Sequence, residues 1–230
     1  MAAILFDLDG TLIDTAPDFI RIVHQLCAED QIPAPTAAEI RTQVSEGARA
    51  MVRLIHPELA LESVELLQYR QRFLDAYQQQ IAVDTVLFEG MAQLLSQLEQ
   101  QGIVWGIVTN KPRYLSEALL AALDLSTRCA VLVCPDDVTH TKPHPEPMYL
   151  AANQLGIAPE YIIYVGDHPR DIDAGRAANM PTVLAAYGYL PPDRTDDLSS
   201  WQADHIVDDV AALNALLYSS HFALRSMAHA

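Results

Sequence analysis

The sequence predicts an α/β fold in which a Rossmann-like parallel sheet core is covered by helices, with an all-helical segment inserted after the first strand. Two features support this prediction. Short apolar runs typical of buried strands alternate with helical patterns along most of the chain, which favours a parallel sheet with right-handed crossovers. Residues 16–81 instead show helical spacing alone. With 230 residues, of which 50% are hydrophobic, the chain can bury a full core.

The first predicted strand occupies residues 3–8. Its apolar run reaches Asp7 and Asp9 and then Gly10, a residue that tolerates the backbone angles of a tight turn. Residues two apart on an extended segment project to the same side, so both carboxylates can converge on one cation or one phosphorus atom. We also expect the backbone N–H groups at Gly10 to cradle anionic oxygens. Taken alone, the pattern equally fits solvated acids in a turn.

The helical segment at residues 16–81 shows apolar residues at helical spacing, including Phe19 and Val23 early and Phe73 and Tyr77 late. Because no strand-like run interrupts it, we predict that the segment is a separate helical cap. The aromatic residues of the late helix are expected to form the core of that cap.

Five further strands are predicted after the cap, at residues 103–108, 130–133, 161–165, 181–185 and 204–207. Helical patterns lie between and before them, at residues 90–101, 113–123, 146–155 and 171–178. We therefore predict an α/β core of residues 1–15 and 82–220, a cap of residues 16–81, and a tail of residues 221–230 without an assigned role.

The composition excludes several classes of partner. Thirty acidic against fourteen basic side chains give a formal net charge of −16, which repels nucleic acid and anionic membranes. The same charge repels a phosphorylated metabolite, so a phosphate site here needs a metal ion and local cations. We expect a small phosphorylated metabolite as the partner, bound at a site where a metal ion and local cations offset the acidic charge.

The cysteines and the first residues favour the cytoplasm. The three cysteines lack C-x-x-C spacing, and an odd number argues against a disulfide framework. The first ten residues contain no cationic segment, so we expect neither a signal peptide nor a membrane span there. We expect no zinc site among the eight histidines.

Other polar residues follow the later predicted strands, where ligands of open parallel sheets gather. Thr109 and Asn110 offer a hydroxyl and an amide to a phosphoryl oxygen, and Lys142 lies in a loop stiffened by two prolines. Asp167 and Asp171 can contribute oxygen ligands to magnesium at the fourth strand end. Helix capping is an alternative explanation for Thr109, Asn110 and Asp171.

These strand ends resemble the ordered signature of the haloacid dehalogenase-like hydrolases. The matching segments are DLDGT, TN, the lysine of TKPHP, and GDHPRD. The resemblance covers essentially the whole chain, and it implies that the helical segment is the cap of that family. It also implies a phosphatase and makes a dehalogenase improbable, because Asp9 is the position that separates the two groups.

The resemblance further implies a mechanism with magnesium as the cofactor. Asp7 would attack the phosphorus atom and form an aspartyl phosphate, while Asp9 would act as general acid and then as general base. The metal would be held by Asp7, the backbone carbonyl of Asp9, Asp167 and Asp171. The transferring oxygens would be bound by Gly10, Thr109, Asn110 and Lys142.

Within the family, the chain resembles the phosphoglycolate phosphatase group and, more closely, bacterial N-acetylmuramic acid 6-phosphate phosphatases of peptidoglycan recycling. The closer resemblance comes from GARAMV in the cap, LVCPDDV and AYGYL. It makes Gly47, Ala48 and Arg49 candidates for substrate binding, although Arg49 equally fits a solvated helix residue. His168 departs from the Ser or Asp of many relatives.

Other functions share the same residues. A sugar phosphomutase would use all four strand ends and return the phosphoryl group to its substrate. A signalling receiver domain also forms an aspartyl phosphate, but its acceptor follows a later strand and the domain is about half as long. A binding module on an inactive scaffold is disfavoured by the intact acids and lysine. The oligomeric state is not predicted.

Overall fold

A computed structural model of the chain describes residues 2–193, 195 and 197–219, so the predicted tail at 221–230 lies outside the described residues. Its strands, in chain order, are β1 Ala3–Phe6, β2 Ile13–Asp14, β3 Val86–Leu87, β4 Val104–Val108, β5 Leu132–Val133, β6 Ile162–Gly166, β7 Thr182–Ala185 and β8 His205–Val207. Its helices are α1 Ala16–Glu29, α2 Ala37–Thr42, α3 Ala48–Ile55, α4 Val64–Gln79, α5 Met91–Gln100, α6 Arg113–Ala122, α7 Glu146–Leu155, α8 Pro169–Ala177 and α9 Val210–Leu217.

Six strands form one parallel sheet in the order β5-β4-β1-β6-β7-β8, which confirms the predicted fold class. Alternate residues of β1 enter two apolar clusters on opposite faces. Ile4 and Phe6 pack with α5 and α9, whereas Ala3 and Leu5 pack with α7 and α8. Because β1 is central and covered on both faces, its C-terminal end is held in a rigid position.

Helices α1 to α4 occupy the segment predicted to be helical and share an apolar cluster that contains Phe19, Phe73 and Tyr77. Both ends of this segment are joined at the buried carboxylate of Asp18. That carboxylate accepts hydrogen bonds from the Thr85 hydroxyl and the Asp84 N–H, at 2.6 and 2.9 Å. The segment is therefore fixed to the sheet at its entry and exit.

Three elements, β2, β3 and α9, were not predicted. β2 pairs with β3 in an antiparallel ladder of two residues per strand, too short for a periodic signal. The apolar residues of α9 cover the end of the sheet next to α5. Among the described residues, no helix combines the length and apolar character that crossing a membrane requires.

Candidate active site

The carboxyl ends of β1, β4 and β6 lie side by side, because β1 is hydrogen-bonded to both neighbours. Asp7 follows β1, Thr109 follows β4 and Asp167 follows β6, so the topology brings together the side chains expected to act together. All three are buried, as are Lys142 and Asp171. We call these five residues the floor of the site; of the five, Asp7 and Thr109 line a cavity between the sheet and the helical segment.

Three buried carboxylates, those of Asp7, Asp167 and Asp171, offer oxygen atoms that lie within 4.8 Å of one another. Burial, followed by the Asp171 charge, raises the pKa of Asp7 from 3.8 to about 6. Burial and the other two acids raise the pKa of Asp167 well above its usual range. Burial acts in the same direction on Asp171, but Lys142 and Arg170 outweigh it and lower its pKa.

The three acids fit a hard divalent cation. They provide only oxygen ligands at close range, which suits Mg²⁺. Burial and repulsion between the acids raise the pKa values of Asp7 and Asp167 despite the neighbouring cations, which are Lys142 and Arg170 for Asp7 and Arg170 for Asp167. A further cation would remove this electrostatic cost, so the residues present are compatible with the magnesium ion expected from the sequence.

Lys142 is the centre of a buried hydrogen-bond network. Its Nζ lies 3.0 Å from Asp7 Oδ1 and 2.7 Å from Asp171 Oδ1, and it donates to the Val108 carbonyl and the Tyr164 hydroxyl at 2.9 Å. An ammonium group with this many partners has a fixed position. The prediction that Lys142 is a placed cation agrees with this geometry.

The two oxygens of Asp7 differ in their environment. Oδ1 accepts the Leu8 N–H at 2.7 Å and contacts Lys142, whereas Oδ2 has no hydrogen-bond partner within the part of the chain that the structure describes. Asp7 also lines the cavity. The carboxylate is therefore oriented by one oxygen and has the other available for reaction.

Gly10 makes room for Asp167 at the turn after β1. Its N–H donates to the Ile13 carbonyl at 3.0 Å, so this N–H is used within the turn and not for phosphate. Gly10 has φ +83°, and a Cβ atom there would lie 2.1 Å from Asp167 Oδ2. Only glycine allows this approach, so Gly10 meets a steric requirement, and a phosphate contact by the backbone of this turn stays a prediction.

Asp9 is paired with Lys111, a residue whose importance the sequence analysis missed. The buried Lys111 Nζ lies 3.0 Å from Asp9 Oδ1 and 3.2 Å from the Tyr77 hydroxyl, and it faces the rings of Phe19 and Tyr77. Thr15 donates to the same Asp9 oxygen at 2.7 Å. Lys111 and Lys142 are the only lysines in the chain, and both lie in this site.

Thr109 and Asn110 both line the cavity but have different contacts. The Thr109 oxygen accepts the Lys111 N–H at 3.1 Å, which leaves its hydroxyl proton available to a ligand. The Asn110 amide donates to the Lys142 carbonyl and accepts the Lys142 N–H, at 3.0 and 3.2 Å. Asn110 thus holds the Lys142 loop, in addition to any contact with phosphate.

The loop before α3 covers the acidic cluster. The Ser45 hydroxyl donates to Asp167 Oδ2 at 3.2 Å, and Arg170 donates to the Ser45 carbonyl. His168 Nε2 lies 2.7 Å from Glu46 Oε1. His168 caps the N-terminus of α8: its side chain accepts a backbone N–H of the first turn, and the Asp171 side chain accepts the backbone N–H of His168. Asp171 therefore has the helix-capping contact that the sequence offered as an alternative explanation. None of Ser45, Glu46 and Arg170 was predicted.

The cavity above these residues has a volume of about 490 Å³. The helical segment contributes the apolar side chains of Phe19, Phe73 and Leu74 to its wall. Gly47, Ala48 and Arg49, the three cap residues predicted from the sequence, also line it, together with the unpredicted Arg70. The predicted cap residues therefore lie near the predicted catalytic acids.

His140, His144 and Glu146 form a second group, with possible ligand atoms within 4.8 Å of one another. The four-residue spacing of the histidines is visible in the sequence, and the expectation of no zinc site did not take it into account. Both Glu146 oxygens already accept backbone N–H groups, from Thr139 and His140. These contacts hold the loop that carries Lys142, and this structural role accounts for the proximity of the three side chains.

Comparison with known proteins shows the family. The sequence model described as "Haloacid dehalogenase-like hydrolase" matches residues 4–185. N-acetylmuramic acid 6-phosphate phosphatases of Pseudomonas aeruginosa and Pseudomonas putida are 46% and 44% identical, over 90% and 96% of this chain and 91% and 97% of their own. A phosphoglycolate phosphatase of Xanthomonas campestris pv. campestris is 45% identical over 90% of this chain and 91% of its own.

A solved structure has the same fold over nearly the whole chain. The crystal structure of a predicted phosphoglycolate phosphatase from Haemophilus somnus superposes with a TM-score of 0.82 at 25% identity. The match covers 94% of this chain and 97% of that one. The helical segment is therefore part of the shared architecture.

Proposed function

This chain belongs to the haloacid dehalogenase-like hydrolase family and is a phosphatase, and we propose that it hydrolyses N-acetylmuramic acid 6-phosphate through a phosphoaspartate on Asp7. The observation that carries the mechanism is the position of Asp7, which lines the cavity and has one carboxylate oxygen held by Lys142, while the other has no hydrogen-bond partner among the described residues. A carboxylate oxygen held in this way can act as the nucleophile toward phosphorus.

Two observations favour the amino-sugar phosphate. Relatives with 46% and 44% identity carry the name N-acetylmuramic acid 6-phosphate phosphatase. The cavity of about 490 Å³ combines apolar and polar walls, and it is of a size that suits an acylated sugar acid. A two-carbon acid would leave most of that volume unfilled. Phosphoglycolate is the second candidate, because a relative of that name is 45% identical.

We propose magnesium as the cofactor, held by the side chains of Asp7, Asp167 and Asp171 and by the backbone carbonyl of Asp9. When bound, the ion neutralises charge between the carboxylates and the phosphate dianion. Lys142 and the Thr109 hydroxyl bind the transferring oxygens. Because these groups are already fixed by other contacts, they require little reorganisation when the charge develops.

The reaction proceeds in two displacements. Asp7 Oδ2 forms a bond to phosphorus as the bond to the sugar oxygen breaks, and Asp9 gives its proton to the departing alkoxide. Asp9 then takes a proton from water, which attacks phosphorus and releases inorganic phosphate and the Asp7 carboxylate. Lys111 and Thr15, both in contact with Asp9, hold its carboxylate in the position that both steps require.

We propose that residues 16–81 act as a cap on a core of residues 1–15 and 82–220. Its loop at Ser45 and Glu46 contacts Asp167 and His168 across the cavity, which fits a cap that excludes water when closed. We place the reaction in the cytoplasm, since the cysteines at 27, 129 and 134 are all free thiols.

The test is the release of free phosphate, with Mg²⁺, from N-acetylmuramic acid 6-phosphate and from phosphoglycolate in parallel. The comparison is made on kcat/KM, because discrimination between substrates is defined by that ratio. We expect a preference for the sugar of at least about tenfold, which corresponds to roughly 1.4 kcal/mol. A preference for phosphoglycolate would reject the proposed substrate, and formation of an isomer without free phosphate would indicate a mutase.

A further inference from the structure

We propose that Arg49 and Arg70 form an anion subsite that binds a carboxylate of the substrate, separate from the phosphate site at Asp7. Both arginines line the cavity, one from the first turn of α3 and the other from the middle of α4. The proposal rests on the proposed function, because it assigns a second recognition element to the same cavity. Its ligand class is a phosphate ester that also carries a carboxylate.

Arg49 and Arg70 combine the lack of an acidic partner with a position in the cavity. Acidic residues outnumber basic ones by thirty to fourteen, so an arginine in this protein has many potential partners. Eight of the twelve described Lys and Arg side chains form ion pairs with acids. Among the residues that the structure describes, Arg49, Arg53, Arg70 and Arg176 have no hydrogen-bond or ion-pair partner, and of these four Arg49 and Arg70 line this cavity.

The acids that share the cavity are already engaged. Asp7 pairs with Lys142, Asp9 with Lys111, and Glu46 with His168 and Arg170. An internal ion pair with the two arginines would require one of these contacts to break. An anion brought by the substrate would meet no such cost, and it would also reduce the repulsion between two like charges in one cavity.

The surroundings of Arg70 should strengthen its interaction with a carboxylate compared with the same interaction in water. Arg70 is half-buried on α4, on the wall that also presents Phe73, Leu74 and Tyr77. An apolar wall lowers the local dielectric and strengthens a charge-assisted hydrogen bond. The planar guanidinium group can bind both oxygens of a carboxylate at once, a geometry that lysine cannot reproduce. N-acetylmuramic acid 6-phosphate carries such a group on its lactyl ether.

The test compares Arg70→Gln with wild type on two sugars that differ in the carboxylate. N-acetylglucosamine 6-phosphate lacks the lactyl ether but is otherwise the same sugar phosphate. We expect Arg70→Gln to lower kcat/KM for N-acetylmuramic acid 6-phosphate by roughly 10- to 100-fold, mainly through KM, and to change it less than about threefold for N-acetylglucosamine 6-phosphate. Arg70→Lys should give an intermediate loss.

Arg53→Gln is the matched control. Arg53 is an exposed arginine on α3 that has no hydrogen-bond or ion-pair partner among the described residues and does not line the cavity, so its replacement removes the same charge at a distance. It should leave both sugars unaffected. Equal losses on both sugars in Arg70→Gln, or no loss on the lactyl sugar, would overturn the proposal, and a thermal unfolding curve checks that each variant is folded.

If neither sugar is hydrolysed, the proposed substrate is rejected, but the anion subsite can still be tested. The same comparison is then made with phosphoglycolate and ethyl phosphate, which differ only in the carboxylate. A subsite at Arg49 and Arg70 predicts that Arg70→Gln reduces the preference for the acid at least about fivefold. An unchanged preference would contradict the subsite whatever the physiological substrate.

Discussion

The two sides of the cavity differ in how their charged groups are satisfied. On the sheet side, Lys142 contacts Asp7, Asp171, Val108 and Tyr164, and it is buried. On the helical side, Arg70 has no partner within the described part of the chain. The groups that we propose to act on the phosphate are thus positioned before any ligand binds, whereas the groups that we propose for substrate selection gain a partner only when the substrate binds.

This difference has a physical consequence. Preorganised groups on the floor stabilise charge in the transition state without moving, so changes there should reduce turnover for every substrate. The wall groups contribute through contacts that only some substrates make, so changes there should alter discrimination. Each substitution below tests which of the two descriptions applies to a residue, and the effects are ordered from largest to smallest.

Replacing Asp7 with Asn should abolish turnover. The change keeps the size of the side chain but removes the attacking carboxylate, and loss of a nucleophile typically costs about 10⁴-fold or more in kcat. Phosphate release in steady state measures it. Thermal unfolding is the control. Because the change removes a buried charge, the unfolding temperature of the variant should be at least as high as that of wild type. Retained activity in the folded variant would reject Asp7 as the nucleophile.

Replacing Lys142 with Met should reduce kcat by roughly 10²- to 10³-fold for all substrates, since it removes a placed cation from the transferring oxygens. It also leaves the buried acids Asp7 and Asp171 without their ammonium partner. The free energy of unfolding without added metal should therefore fall by about 3–5 kcal/mol at pH 7. Urea denaturation measures this loss, and an unchanged midpoint would show that the network is not needed for stability.

Replacing Lys111 with Met should lower kcat by roughly 10- to 100-fold with a smaller change in KM, because Asp9 loses the contact that holds it in place. Met fills most of the volume between Phe19 and Tyr77, so the packing of the cap is largely retained. Lys111→Arg keeps the charge and is the matched control. A loss confined to KM would assign Lys111 to substrate binding instead.

The stability of the metal-free protein should depend on pH through Asp7. Its pKa is raised in the folded state, from 3.8 to about 6, so the folded state holds a proton that the unfolded state loses. The associated stability is complete below pH 3.8 and is lost as the pH rises through about 6. Between pH 4 and pH 7, wild type should therefore lose on the order of 1–3 kcal/mol relative to Asp7→Asn.

Chemical denaturation of both proteins at several pH values measures that difference, which isolates Asp7 from the other titrating acids. Added Mg²⁺ should raise the stability of wild type more at pH 7 than at pH 5, because protons compete with the metal for the same oxygens. A difference between the two proteins that is independent of pH would contradict the raised pKa.

Replacing Glu46 with Gln should have the smallest effect. It weakens the contacts with His168 and Arg170 that join the loop before α3 to the sheet, and the Glu46 side chain is itself exposed. We expect a two- to fivefold change in kcat, from faster opening or incomplete closure of the cap. A loss as large as that of Lys111→Met would place Glu46 in the catalytic machinery.

The sequence predicted the sheet and the acidic floor because both depend on local patterns. Asp7, Asp9, Asp167 and Asp171 each follow an apolar run, and the carboxyl ends of parallel strands meet at one edge. The steric role of Gly10 could not be predicted, because the atom it makes room for, Asp167 Oδ2, lies far along the chain. Sequence spacing contains no information on that approach.

Lys111 and Arg70 were missed for a related reason. Each is a single basic residue in a helical or loop context, where solvated charges are common. What distinguishes Lys111 is the placement of Asp9 on one side and two aromatic rings on the other, which only the tertiary fold creates. What distinguishes Arg70 is its position in the cavity without an acidic partner among the described residues. The sequence alone does not show which residues an arginine contacts.

The most direct test of the central claim is to trap the phosphorylated intermediate. Wild type is mixed with N-acetylmuramic acid 6-phosphate and Mg²⁺, quenched in acid within the first turnover, and digested for mass spectrometry. The mechanism predicts one phosphoryl group on the peptide that contains Asp7, lost on longer incubation and absent in Asp7→Asn. Phosphate release with no modified peptide at any time, or a phosphoryl group on another residue, would contradict it.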